Sequence, residues 1–258
     1  MIWDTIENRD AARGTVEEWG GAGYSLAALD ASLGDDWRVV PLVKVGRDLA
    51  ARAGTFLESL GSIIPGGRFV EVPEANPKVR LQYEQGERRC EGLTGGVPPW
   101  TWEELGPMVI GLDALYLNFI TGFEADLATV RALRQAFKGP IYGDLHSLAL
   151  GRQPDGTRYH RPIEEALFWL TAMDVAQVNE DEMAQLGAEP LGLAARALTN
   201  GTSAVCVTLA ERGAVYIAAG DFADLSWAGG TRPERGSGQS LVRTALIEPF
   251  GGRVSGDT

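Results

Sequence analysis

The sequence predicts an α/β fold built on a mainly parallel central sheet. Short β-branched runs alternate with amphipathic helical segments through most of the 258 residues, the pattern of a sheet covered by helices. Polar residues stand at or near the ends of strand runs, at Asn118, Asp144, Asn179 and Thr208, where open α/β sheets place their ligands. One stretch, residues 67–93, breaks the alternation with a two-residue period.

Along the chain, "EEWGGAGYSLAALDASLG" (17–34) sets a glycine cluster ahead of a helix. Glycines there let a ligand approach the backbone, and a helix N-terminus favours negative or polar groups. The same cluster also reads as a tight turn into a packed helix. It fails as a dinucleotide fingerprint, because Leu26 follows where a glycine is needed and no strand pattern precedes it. "RVVPLVKV" (38–45) reads as a strand. In "DLAARAGTFLESLG" (48–61), Leu49, Ala53, Phe56, Leu57 and Leu60 fall at helical spacing before a stop at Gly61. "VRLQYE" and "RRCEGL", split by Gln85-Gly86, predict an antiparallel hairpin inserted at about 67–97. It is either a lid or dimer contact, or a surface decoration.

"TGGVPPWTWEELGP" then reads as a linker with a short helix, and "PMVIGLDALYLNF" (107–119) holds a buried strand. An amphipathic helix over 124–137 ends at Lys138-Gly139 and leads into the strand "PIYGDL" (140–145). Helix "IEEALFWLTA" (163–172), strand "DVAQVN" (174–179), the short helix "EDEMAQLG" and helix "LGLAARALTN" (191–200) follow. "AVCVTL" (204–209) and "GAVYIA" (213–218) are two further strands.

Composition narrows the function classes. A net charge of −12 argues against nucleic acid or an anionic membrane as the main partner. The two cysteines, Cys90 and Cys206, have neither the number nor the spacing of a disulfide framework or metal site, and Cys206 is expected to be buried. There is no run of 18 apolar residues and no signal-peptide pattern, so a cytoplasmic enzyme is the expectation. With only His146 and His160, a histidine-rich metal site is not supported. Neither a Gly-Lys-Ser/Thr phosphate loop nor a Gly-x-Ser-x-Gly elbow occurs.

Two readings compete at Asn179-x-x-Glu182. One is a capping box, in which each side chain satisfies the other's backbone N–H. The other is an amide and a carboxylate beside a metal–phosphate group. The two are compatible. Asp144 and His146 sit just past a strand, and "VTLAERGAVYI" (207–217) reads as a hairpin with a polar turn from Thr208 to Gly213.

In this order and spacing the segments resemble the ribokinase-like (PfkB) family of carbohydrate and nucleoside kinases, over nearly the whole chain. Asp4 in "WDTI" is similar to the family's sugar-binding aspartate. Gly20, Gly21, Gly46 and Asp48 match its first signature, and the hairpin falls where the family has its lid. "DLH" matches an Asp-x-Asn motif, "NEDE" the Asn-x-x-Glu motif and "TLAERG" the nucleotide-site turn.

The resemblance implies a three-layer α/β/α fold and ATP-dependent phosphorylation of a primary hydroxyl on a sugar-like small molecule. It assigns substrate contacts to Asp4, Gly20, Gly21, Ser25 and Asp48. Donor contacts go to Asn179, Thr208, Gly213, Asp257 and Thr258, and Glu182 is placed near Mg2+. The hairpin lid is also the candidate contact of a homodimer. Three residues depart from the family pattern: Ser25 and His146 each replace an asparagine, and Ala210 replaces a glycine. Asp257-Thr258 matches the opening of the family's second signature, Asp-Thr-x-Gly-Ala/Cys-Gly-Asp, whose last aspartate is the catalytic base. The expectation is therefore a fold incomplete at both ends, with the base beyond Thr258 and little turnover. The alternative from another class is a non-catalytic sugar- or nucleoside-binding protein of the same fold. A nicotinamide-dependent oxidoreductase has only the α/β alternation in its favour.

Overall fold

The computed structural model describes residues 1–7, 14–64, 69–85, 88–225 and 241–249. The first half holds β1 (Ile2–Glu7), β2 (Val16–Gly20), α1 (Ala22–Ser32), β3 (Lys44–Gly46), α2 (Ala50–Glu58), β4 (Val70–Val72), β5 (Lys78–Gln85), β6 (Arg88–Thr94), α3 (Trp102–Met108) and β7 (Leu115–Asn118). It is followed by α4 (Leu127–Ala136), β8 (Ile141–Asp144), β9 (Leu150–Arg152), β10 (Arg158–His160), α5 (Ala166–Ala172), β11 (Val175–Asn179), α6 (Glu180–Gln185), α7 (Pro190–Thr199), β12 (Ala204–Thr208), β13 (Ala214–Ala219) and β14 (Val242–Ile247). These elements form two compact units. One comprises Met1–Thr101, Ile120–Asp126 and Leu150–Tyr159; the other comprises Trp102–Phe119, Leu127–Ala149 and the described residues from His160 onward.

The first unit is built on a four-stranded sheet in the order β2-β1-β5-β6. β1 is antiparallel to β2 and parallel to β5, and β5 and β6 pair as a hairpin. Alternation along β1 splits its side chains. Ile2 and Ile6 join Val79, Leu81, Tyr83 and Leu93 in one core, whereas Trp3 packs against the Val45, Leu49 and Ala53 cluster. The hairpin starts at Lys78 rather than 67, because Val70–Val72 pairs instead with Lys44–Gly46. It is also no free-standing insertion, since β5 pairs in parallel with the N-terminal strand β1.

The run 38–45 is a strand only from Lys44, apart from a bridge between Val39 and Ile63. Pro41 has no N–H to give a ladder. A strand does precede the glycine cluster: β2, whose polar "VEEWG" is carried by antiparallel pairing with β1.

The second unit carries a six-stranded sheet in the order β14-β13-β12-β11-β8-β7. β7, β8, β11 and β12 run parallel, and β13 and β14 are antiparallel additions. The four helices α3, α4, α5 and α7 pack each on the next, and α7 reaches β13. One face of the sheet, with Ile141, Val178, Val205 and Ile217, is buried. The other carries Tyr142, Cys206 and Tyr216, which pack with Phe222 and Leu225 and are only partly buried. Cys206 is thus half-buried rather than buried, because it stands on this second face.

The fully buried Asp174 ties the helical layer to the strands: its Oδ2 accepts from Arg134 Nη1 at 2.9 Å and from Ile141 N at 2.8 Å. Its carbonyl accepts from Ser203 N and Ala204 N at the start of β12. Among the described residues, no helix is long and apolar enough to cross a membrane.

Candidate functional site

In the first unit the sheet and α1 bring Asp4, Gly20, Gly21 and Ser25 together. Asp4 points to the same side of β1 as Ile2 and Ile6, and its carboxylate lies on Gly20; a Cβ there would stand 1.7 Å from Asp4 Oδ2. Gly21 caps α1 with φ 51° and ψ −106°, and a Cβ on it would meet the Ile120 side chain at 2.5 Å. Both a positive φ and lack of room require glycine here. Ser25 donates from N and from Oγ to Gly21 O, at 3.1 and 3.3 Å, so its hydroxyl turns back onto the first turn of its own helix.

Asp48 sits in a different set of contacts. Its Oδ2 pairs with Lys78 Nζ at 2.8 Å and its Oδ1 accepts from Asn76 N at 2.8 Å. The Lys78 hydrogen bond, then the Asn76 N–H, hold this carboxyl below the usual carboxylate range. Asn76 is fully buried. Its Oδ1 accepts from Gly46 N at 3.0 Å, and its Nδ2 donates to Met1 O and Pro77 O at 3.2 and 3.0 Å. The Val-Gly-x-Asp stretch therefore receives the 74–77 turn: Gly46 leaves room for its backbone, and Asp48 satisfies one of its N–H groups. Sequence reasoning missed Asn76; the Asn-Pro dipeptide marks a turn, but nothing local shows that its side chain is buried.

In the second unit the pairing register gathers the strand-end residues. Asn118 stands opposite Asp144, Asp144 opposite Gln177, and Asn179 opposite Thr208. Two-residue alternation places all four strand-end side chains on the partly buried face, continuous with Tyr116, Tyr142 and Cys206. Asn118 Nδ2 donates to Tyr116 OH at 3.2 Å, and the Tyr142 hydroxyl donates to Gln177 Oε1. Burial pushes the Asp144 carboxyl above its ordinary range, opposed by the charge and the N–H of His146. That N–H reaches Asp144 Oδ1 at 3.3 Å.

Asn179 and Glu182 form the capping box in full. Glu182 N donates to Asn179 Oδ1 at 2.8 Å, and Asn179 N donates to Glu182 Oε2 at 2.8 Å. Asn179 Nδ2 and His146 Nδ1 both meet Glu182 Oε1, at 2.7 and 2.6 Å. After Thr208 the chain turns through Ala210, at φ 51°, to Gly213, at φ 90°. Leu209 N donates to Gly213 O at 2.8 Å, and Arg212 pairs with Glu180 at the start of α6. A Cβ on Gly213 would lie 2.1 Å from Ile247 O, so this glycine admits the end of β14. Asp257 and Thr258 lie outside the described residues.

No family model matches the sequence, and no curated protein matches it. Solved structures do. A pyrophosphate-dependent kinase in the ribokinase family, in a sulfate complex, superposes with a TM-score of 0.66 at 18% identity, over 83% of this chain and 72% of its own. Ribokinase from Giardia lamblia gives 0.64 at 13% identity, over 98% and 74%. The fold is ribokinase-like. A Burkholderia thailandensis nucleoside kinase in complex with inosine shares this ribokinase-like fold at a TM-score of 0.59 and 14% identity, over 96% and 73%. So does an uncharacterized sugar kinase from Pyrococcus horikoshii in complex with ATP, at 0.60 and 17%, over 98% and 76%.

A divalent cation through Glu182 does not fit this ribokinase-like chain as folded. Among the described residues, no group of three or more His, Cys, Asp or Glu side chains is placed to hold a metal ion. The Glu182 carboxylate is already met by three nitrogens, and its side chain is 4% exposed.

Proposed function

We propose that this protein is a kinase that moves a phosphoryl group from ATP to a primary hydroxyl of a sugar-like or nucleoside-like small molecule. The observation that carries the reading is the row Asn118, Asp144, Asn179 and Thr208. These residues stand on one face at the carboxyl ends of four parallel strands, in a fold shared with solved sugar and nucleoside kinases. Asn179, Thr208 and Gly213 serve the phosphate donor, and Asp257 and Thr258 keep their sequence-based assignment to the same role. Asp4, Gly20, Gly21 and Ser25 serve the acceptor. The Asp4 carboxylate accepts hydrogen bonds from hydroxyls, and the two glycines set its place, because only a residue without Cβ leaves room for the Asp4 carboxylate on Gly20 and for Ile120 on Gly21. Asp48 acts by holding the 74–77 turn beside Lys78.

In the transfer, the acceptor oxygen attacks the γ-phosphorus, the bond to the ADP oxygen breaks, and the hydroxyl proton leaves to a base. Such chemistry is mostly positioning and electrostatics, and a fixed polar row suits it. A homodimer through the β5–β6 hairpin belongs to the same reading, and sedimentation would report it as twice the chain mass.

Thermal melts with ATP, with pyrophosphate and with a panel of sugars, polyols and nucleosides test the reading. ATP and at least one hydroxyl compound should each raise the melting temperature. A ligand at 100 times its Kd adds about 2.7 kcal/mol. Asp4→Ala should remove the shift from the hydroxyl compound and leave that from ATP. No shift with any donor, or an Asp4→Ala variant that still responds to the acceptor, would sink the proposal.

A second reading, a ligand-binding protein without turnover, is favoured by Ala210 at positive φ in the nucleotide turn and by the engaged Glu182 carboxylate. Ligand stabilisation without ADP release in a coupled assay would select it.

A further inference from the structure

Glu182 is held from two elements. Two of its contacts come from Asn179, at its own helix start, and the third comes from His146, 36 residues earlier, at the end of β8. A carboxylate offers about four lone-pair sites; three are filled, and the group is buried. A cation approaching Oε1 would meet the positive ends of an amide and a ring nitrogen, each under 3 Å from that oxygen. His146 is itself fixed: its N–H donates to Asp144 Oδ1 and the next residue, Ser147, donates from N to Phe119 O at 2.8 Å. The ring thus spans from β8 to α6, and Asp144 and Asn179 lie at either foot of that span on adjacent strands.

We propose that His146 is a positioning residue that donates Nδ1–H to Glu182 and closes a clasp fixing the ends of β8 and β11, and that Glu182 binds no divalent cation. In the resemblance to the ribokinase-like family, His146 stands at the place of an asparagine. The clasp stands whether or not the protein transfers phosphate, so its test is separate from that of the kinase reading.

The chain has only two histidines, so imidazole 15N NMR resolves both. At neutral pH the His146 signals should show a proton on Nδ1, and Glu182→Gln should move them while leaving those of His160 in place. A neutral His146 with its proton on Nε2 would overturn the donation. Manganese(II), titrated to millimolar concentration, should leave the His146 signals unbroadened. Broadening of His146 that Glu182→Gln abolishes would overturn the second half of the proposal. His146→Ala should lower the melting temperature by several degrees, and His146→Asn should recover most of the loss. Equal melting temperatures for the two variants would show that no donor is needed at this position. If Glu182→Gln does not fold, the tautomer and the manganese response of the native protein still decide.

Discussion

Asn76→Ala should be among the most damaging single changes in the first unit. The side chain is fully buried, and it accepts from Gly46 N at 3.0 Å and donates to Met1 O at 3.2 Å, two segments remote in sequence. Each such hydrogen bond contributes about 1 kcal/mol net, and leaving the buried Gly46 N–H without an acceptor costs about 1–3 kcal/mol more. The sum, roughly 3–5 kcal/mol, is a large share of the ~5–15 kcal/mol that holds a typical domain folded. Relaxation offers little relief, because a Cβ on Gly46 would already be 2.1 Å from Asn76 N, so the two backbones are in close contact. Urea unfolding followed by tryptophan fluorescence measures the loss. Asn76→Asp, which keeps the acceptor but turns an oxygen toward two carbonyls, should do no better. A cost under ~1 kcal/mol for Asn76→Ala would refute the claim that this amide ties the N-terminal strand to the Val-Gly-x-Asp segment.

Ala210→Gly should stabilise the protein by about 0.5–1 kcal/mol in the same assay. The left-handed penalty at φ 51° disappears, and part of the gain is offset by the freer unfolded chain. Asp174→Ala leaves the Arg134 guanidinium buried without its carboxylate and should cost about 3–5 kcal/mol, read as loss of soluble protein or a lower urea midpoint. Asp144 has a folded pKa raised above its unfolded value, so the folded state holds more protons between the two. Its contribution therefore falls as pH rises through that window, and at neutral pH it opposes folding. Asp144→Asn should raise the melting temperature at neutral pH and flatten its decline with rising pH; an unchanged pH profile would count against the burial argument.

The alternation of helix and strand in the second unit was legible because α4, β8, α5, β11, α7 and β12 each bury a side at a clear period. The Asn179–Glu182 cap was legible because both partners lie within one turn. What escaped depends on partners far away or on very short elements. β2 has two glutamates in five residues and is a strand through its pairing with β1. β14 is exposed at nearly every position, so it shows no hydrophobic phase. β9 and β10 span three residues each, too short for periodicity, although Asp155-Gly156 between them marks the turn. Asp48 reads as a ligand residue by its motif, and only the fold reveals Lys78 and Asn76 as its partners. The His146 contact to Glu182 spans three strands and a helix of the intervening chain, and no local pattern encodes it.

The six-stranded sheet keeps its polar row and its buried packing on opposite sides of the same four parallel strands. Adjacent residues on one strand thus answer to different demands. Val178 is sealed in the interior while Asn179 next to it faces the candidate site. Substitutions at either phase can accumulate separately, but insertions and deletions cannot. One residue added within β8 would carry Asp144 to the buried side and bring an apolar neighbour into the row, so a single length change disables core and site together. Length variation in this protein should therefore fall in the connections between these strands, and the strands themselves should change only by replacement.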